Sequence, residues 1–136
     1  MTNASQHRVD LTKNQALVMS TLTDATEPLS AYSILHELRD HGLKAPLQVY
    51  RALDKLVELG MVHRLESLNA FVACQHDACS NNSHQTIVFT ICQKCNHVKE
   101  LGNASISDAV SKYVSDIGFS LDTSVIELRG TCTSCH

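Results

Sequence analysis

Over roughly the first 60 positions, apolar residues recur at three- and four-residue intervals; beyond Gly60 they alternate or form short runs. Thr12-Lys13-Asn14-Gln15 has the form of a capping box and precedes Val18, Met19 and Leu22, so it predicts a first helix to about Ala25, stopped by Glu27-Pro28. Ser30 caps a second helix whose Ala31, Ile34, Leu35 and Leu38 share one face, with His41-Gly42 at its end. A third is bracketed by Pro46 and Gly60. Its Val49, Leu53, Leu56 and Leu59 face one way and Gln48, Arg51, Lys55 and Glu58 the other, which makes it amphipathic.

The change of period after Gly60 predicts a hairpin, with strands over 61–66 and 71–74 about the turn Ser67-Leu68-Asn69-Ala70. Three helices followed by a hairpin outline a winged helix-turn-helix. The polar, aperiodic 75-QHDACSNNSH-84 reads as a linker. Beyond it, 86–91, 98–101 and 125–129 read as strands. Ser105-x-x-Asp108 opens a helix with Ile106, Ala109, Val110, Tyr113, Val114 and Ile117 on one broad face. The fold class is therefore α+β, a winged helix-turn-helix followed by a small sheet with one helix.

Composition sharpens this outline. At 136 residues and 43% hydrophobic, the chain can form two small lobes of roughly 60 to 70 residues each, and lobes of that size need additional support. Six cysteines and eight histidines, with no tryptophan, point to metal or disulfides. No apolar run approaches membrane-spanning length, and the first residues lack the cationic-then-apolar form of a secretory signal; a cytosolic location is the expectation. In that reducing compartment paired cysteines more often hold metal or do redox work than form structural disulfides. A formal charge of −3 requires any nucleic-acid contact to come from a local patch.

Two Cys-x-x-Cys pairs, Cys92/Cys95 and Cys132/Cys135, flank strands of the second lobe. Two such knuckles on neighbouring strand ends can converge on one tetrahedral Zn²⁺. A redox pair would ordinarily open a helix, and neither pair does. Cys132-Thr133-Ser134-Cys135-His136 also matches a haem-attachment pattern, but that reading leaves the other pair unexplained. Asn96, after the first knuckle, suits a left-handed turn. A second constellation gathers around the hairpin and linker: His63, Cys74, His76, Cys79 and His84, with His97 and Glu100 on the following strand. His63 and Cys74 lie on the two strands of one hairpin and can face one ion, which His84 and Glu100 could close from the second lobe. A thiolate in that set favours zinc over Fe²⁺ or Mn²⁺.

The stretches 30-SAYSILHEL-38, 46-PLQVYRALDKLVELGMVHRLES-67, 89-FTICQKCNHVKEL-101 and 125-VIELRGTCTSC-135, in this order and spacing, resemble the ferric uptake regulator family, and within it the zinc-sensing branch that regulates zinc uptake. The resemblance covers nearly the whole chain. It implies a winged-helix DNA-binding domain at 1–74, a hinge at 75–84 and a zinc-stabilised α/β dimerisation domain at 85–136. It also implies a structural zinc on Cys92, Cys95, Cys132 and Cys135, and a regulatory zinc on His63, Cys74, His84 and Glu100. Pro28 stands where iron and peroxide sensors often carry histidine, and Gln85-Thr86-Ile87-Val88 replaces their His-rich run; both departures point to zinc. The linker's extra His76 and Cys79 compete with His84 for the ligand position. The family's usual Leu-Thr-Pro-x-Arg reads Leu11-Thr12-Lys13-Asn14-Gln15 here, which implies weaker DNA contacts from that region.

The resulting expectation is a zinc-loaded homodimer that represses transcription by binding palindromic double-stranded operator DNA, upstream of zinc uptake genes. Tyr32, Lys44, Gln48, Tyr50, Arg51 and Lys55 are the candidate DNA contacts, and Arg51 is suited to bidentate recognition of guanine. Rival readings are an iron, manganese or peroxide sensor of the same family and a non-catalytic zinc-ribbon interaction module. A zinc deaminase or hydrolase would need H-x-E or C-x-E, and neither triplet occurs, so no enzymatic activity is expected.

Overall fold

The computed structural model describes residues 10–74, 86–102, 104–122 and 124–136. Helix α1 (Lys13–Asp24) begins with the anticipated capping box: Gln15 N donates to Thr12 Oγ1 at 3.2 Å and Thr12 N to Gln15 Oε1 at 3.0 Å. Helix α2 (Ala31–Leu38) is capped by Ser30, whose Oγ accepts from Ser33 N at 3.1 Å, and runs into a 3-10 turn, Arg39–His41. That turn ends at Gly42, whose φ of 105° suits glycine above other residues.

Helix α3 (Pro46–Glu58) carries proline at its first position and stops before Gly60, at φ 77°. Gln48 folds back over its N-terminus, where its Oε1 accepts from Lys44 N at 2.8 Å and Ala45 N at 3.1 Å. The N3 side chain thus supplies the half of a capping box that reaches back to the N-cap amide, and Ala45 has no side-chain acceptor to supply the other half. Strands β1 (Val62–Leu65) and β2 (Ala70–Ala73) form the antiparallel hairpin, with Asn69 in the left-handed region of its turn. An isolated bridge between Leu29 and Phe71, 2.8 and 3.0 Å in its two directions, adds the segment before α2 to the hairpin's edge. Periodicity could not reveal this bridge, because it pairs single residues far apart in sequence.

The three helices close over Val18, Ile34, Leu43, Val49, Leu53 and Leu56, all fully buried, with Val62 and Phe71 from the hairpin as the floor. The other face of β1 carries His63 and Leu65. Both are buried although they point away from this core; His63 lies against the second lobe, where its ring meets Phe89.

The second lobe is a three-stranded sheet in the order β4-β3-β5. β3 (Thr86–Cys92) is central, antiparallel to β4 (Val98–Gly102) and parallel to β5 (Ser124–Gly130). Its near-continuous burial suits a central strand covered on both faces. Helix α4 (Ala104–Asp116) packs on β3, where Ser107 Oγ accepts from Thr86 N at 2.9 Å. The helix expected to open at Ser105 begins one residue earlier, at Ala104. The broad apolar face divides: Ile106, Val110 and Val114 are half-buried, whereas Tyr113 and Ile117 are 72% and 70% exposed. The assigned hinge, 75–84, lies outside the described residues, as do His76, Cys79 and His84.

Because Leu53 is fully buried in the three-helix core, Leu53→Ala is predicted to destabilise the first lobe by about 2–5 kcal/mol, measured by denaturant unfolding followed by circular dichroism.

Candidate metal centres

The first centre sits where β3 and β5 end. Parallel pairing sets Cys92 opposite Gly130, so the knuckle after β3 meets the one after β5. Gln93 N donates to Gly130 O at 2.8 Å, Asn96 N closes the first knuckle on Cys92 O at 2.8 Å, and Cys135 N closes the second on Cys132 O at 3.0 Å. Asn96 has φ 62°, the left-handed geometry that lets the chain turn back into β4.

The four sulfurs all lie within 4.8 Å of one another, and Cys95 Sγ is 3.7 Å from Cys132 Sγ. A tetrahedron of thiolates at ~2.3 Å from zinc has an edge of ~3.8 Å, so the donor set fits that ion. The Cys132 amide, donating to Cys92 Sγ at 3.4 Å, heads the backbone donors that draw the Cys92 thiol down to about 5. The sulfurs of Cys132, Cys92 and Cys95 hold a proton on Cys135 and push it up to about 12. A dication bound among the sulfurs would favour the thiolate form of its ligands.

The second centre lies between the lobes. β1 contributes His63, the residue after β2 contributes Cys74, and β4 contributes Glu100. His63 Nε2 is 3.9 Å from Glu100 Oε1, Cys74 Sγ is 3.8 Å from Glu100 Oε2, and the three donor atoms lie within 4.8 Å of one another. The His63 ring meets Phe89 edge-on, with centroids 5.5 Å apart at 61°. Burial holds the His63 imidazole below its ordinary value, which favours the neutral, metal-binding form. Cys74 is disulfide-bonded in this structure, so it offers a thiolate only once reduced. An imidazole, a thiolate and a carboxylate form a zinc-type donor set. His84, predicted for the same ion, lies outside the described residues.

Strand register explains why these groups meet. Phe89 pairs with Glu100 on one side and Glu127 on the other, so Glu100, Phe89 and Glu127 form one rung across the sheet and project from the same face. That face meets the hairpin: Glu100 reaches His63 and Cys74, Phe89 abuts the His63 ring, and Glu127 accepts from the amides of Glu66 and Ser67 at 2.8 and 3.1 Å. Sequence reasoning found Glu100 but neither Phe89 nor Glu127. A single acid within the apolar strand 124-SVIELRG-130 was the only available signal.

The proposed DNA contacts lie on the first lobe. Tyr32 is 65% exposed on α2, and Lys44, Tyr50, Arg51 and Lys55 are exposed on or just before α3. Arg51 has no ion-pair partner among the described residues, whereas Lys55 meets Glu58 at 3.4 Å on the surface, a pair of little energetic weight. Gln48 is half-buried, with its side-chain oxygen engaged in capping its own helix.

A family model described as the ferric uptake regulator family matches residues 6–129. The zinc uptake regulation protein of Escherichia coli (strain K12) is 36% identical over 132 residues, which span 96% of this chain and 75% of that protein. A zinc uptake regulator complexed with zinc and DNA aligns at 34% identity over 96% of this chain and 85% of its own, with a TM-score of 0.83. Holo XcZur, at 35% identity over 96% of this chain and 89% of its own, gives 0.82. Apo XcZur, at 36% identity over 96% and 88%, gives only 0.50. The extent of the family match and the identity to a regulator across almost the full length establish that this chain belongs to the ferric uptake regulator family.

Proposed function

We infer that this protein is a zinc-responsive transcriptional repressor whose homodimer, with zinc in two sites per subunit, binds palindromic operator DNA upstream of zinc uptake genes, in the cytoplasm. The observation that carries this reading is a soft donor set, His63, Cys74 and Glu100, drawn from both lobes and converging within 4.8 Å. Zinc held there would link the DNA-reading lobe to the sheet. The structural neighbour complexed with zinc and DNA has the same arrangement of chain. His84 completes the ligand set by family resemblance.

The first lobe supplies the reading surface. In a helix-turn-helix the N-terminal part of the second helix enters the major groove, a position held here by the start of α3. Arg51 is exposed there, suited to guanine O6 and N7, with a discrimination of ~1–3 kcal/mol. Tyr32, Lys44, Tyr50 and Lys55 surround it for contacts to phosphate and thymine methyl. Gln48 contributes by fixing the start of the helix and by presenting its amide nitrogen.

A twofold dimer must present two such helices at one separation. Exposed Tyr113, Ile117, Phe119 and Leu128 leave the second lobe with an apolar surface that a second copy would cover. Linking each reading lobe to that paired base restricts the orientations available to α3, so DNA affinity rises with hinge-site occupancy. A coupling of ~1–3 kcal/mol would give about 5- to 150-fold.

The test is fluorescence anisotropy with a duplex selected from a random-sequence pool, using reduced protein across buffered free Zn²⁺, Fe²⁺ and Mn²⁺, with metal stoichiometry measured alongside. Zinc is predicted to raise affinity at the lowest free concentration, and His63→Ala and Cys74→Ser to leave a folded dimer with one zinc per subunit and no stimulation. Full stimulation of both variants would refute the hinge site; activation by iron or manganese at lower free metal would refute the zinc assignment. Cys92→Ser is predicted instead to abolish folding of the second lobe, because binding of the structural ion is folding free energy for so small a unit. A native circular dichroism spectrum and melting transition in that variant would contradict this.

A further inference from the structure

One strong contact between the lobes uses no metal ligand. Glu127, half-buried on β5, turns its carboxylate to the tip of the hairpin: Oε2 accepts from Glu66 N at 2.8 Å, and Oε1 accepts from Ser67 N at 3.1 Å and from the Ser67 hydroxyl. Both oxygens are thus used on consecutive backbone amides some 60 residues away in sequence. Such charge-assisted bonds are roughly twice as strong as neutral ones, and a pair of them fixes orientation as well as distance. Burial alone would raise the Glu127 carboxyl. The Ser67 hydroxyl, the two amides and the positive charge of Arg129 outweigh it and hold the group below the usual carboxylate range.

Position gives the contact its meaning. Glu127 stands on the same rung as Glu100, one strand to either side of Phe89. The hairpin therefore meets the sheet at two points, with His63 and Cys74 at Glu100 and the Glu66-Ser67 turn at Glu127. One point would leave the hairpin free to pivot; two set its angle, and α3 packs directly on β1.

We propose that Glu127 is a positioning residue, a metal-independent latch that holds the hairpin in the posture in which the hinge metal site is assembled and α3 is presented to DNA. The proposal rests on the zinc-repressor reading for its consequence at DNA, but the latch itself acts on metal binding alone. If the lobes close less often, the apparent affinity of a site assembled only on closure falls by the closed fraction. Once the metal has closed them, the geometry around it is unchanged.

The test uses the full-length reduced dimer with its structural zinc in place, titrated with Co²⁺ at the hinge site and followed by visible absorption. Glu127→Ala is predicted to raise the Co²⁺ midpoint about tenfold, equivalent to ~1.4 kcal/mol, with the saturated spectrum unchanged. Ser67→Ala, which removes only the hydroxyl, is predicted to give a smaller shift, and the double variant no more than Glu127→Ala alone, as expected for partners in one interaction. The zinc midpoint for duplex binding should move by the same factor. A Co²⁺ midpoint within twofold of wild type, or an altered saturated spectrum, would overturn the latch, the second by showing that Glu127 shapes the metal site itself. Failure of zinc to stimulate DNA binding by the wild-type protein would sink the repressor reading, while the Co²⁺ titration would still decide the latch.

Discussion

The arrangement of this protein depends on one rung of its sheet. β3 sets Phe89 between Glu100 and Glu127, and these three side chains are the surface on which the hairpin of the first lobe rests. All three contacts are short-range and directional: a carboxylate shared with a metal-ligand set, an aromatic edge against a buried imidazole, and a carboxylate over two amides. None would hold a lobe alone. Together they set the angle of the hairpin, and the hairpin forms the floor beneath α3.

Why the cell would need a metal for this follows from size. The first lobe closes a continuous apolar core beneath three helices, whereas the second buries little beyond Thr86, Val88, Phe89, Ile91 and Cys92 of its central strand. A sheet that thin cannot fix its own strand ends, and the four sulfurs at the ends of β3 and β5 supply the missing constraint. The two centres thus divide the work by location. The cysteine cluster joins elements of one lobe and, on the proposed reading, serves folding; His63, Cys74 and Glu100 join two lobes and, on that reading, serve regulation.

Much of this was legible in the sequence because it is local. The Thr12 box, the Ser30 cap, Pro46 and the glycines at 42 and 60 mark helix ends by short-range hydrogen bonding and backbone freedom, and the structure places the helices there. The cysteine spacing carried its own geometry in the same way. What could not be read depends on register between distant strands. Neither the pairing of Phe89 with Glu127 nor the bridge from Leu29 to Phe71 leaves a periodic trace. Ser105 shows the opposite error: it has the residue type and spacing of a cap, yet α4 begins one residue earlier at Ala104. Helical spacing places Gln48 on the outer stripe of α3, but it cannot show that its oxygen turns back to accept from the amides of Lys44 and Ala45.

If the hinge metal and the duplex both favour one posture of the lobes, each must strengthen the binding of the other by the same factor. The most direct test is the zinc affinity of the hinge site in the reduced dimer, measured by competition with a chelator in the absence and presence of saturating operator duplex. DNA is expected to tighten zinc binding by the factor through which zinc tightens DNA binding, about 5- to 150-fold. An identical zinc affinity with and without DNA would contradict it.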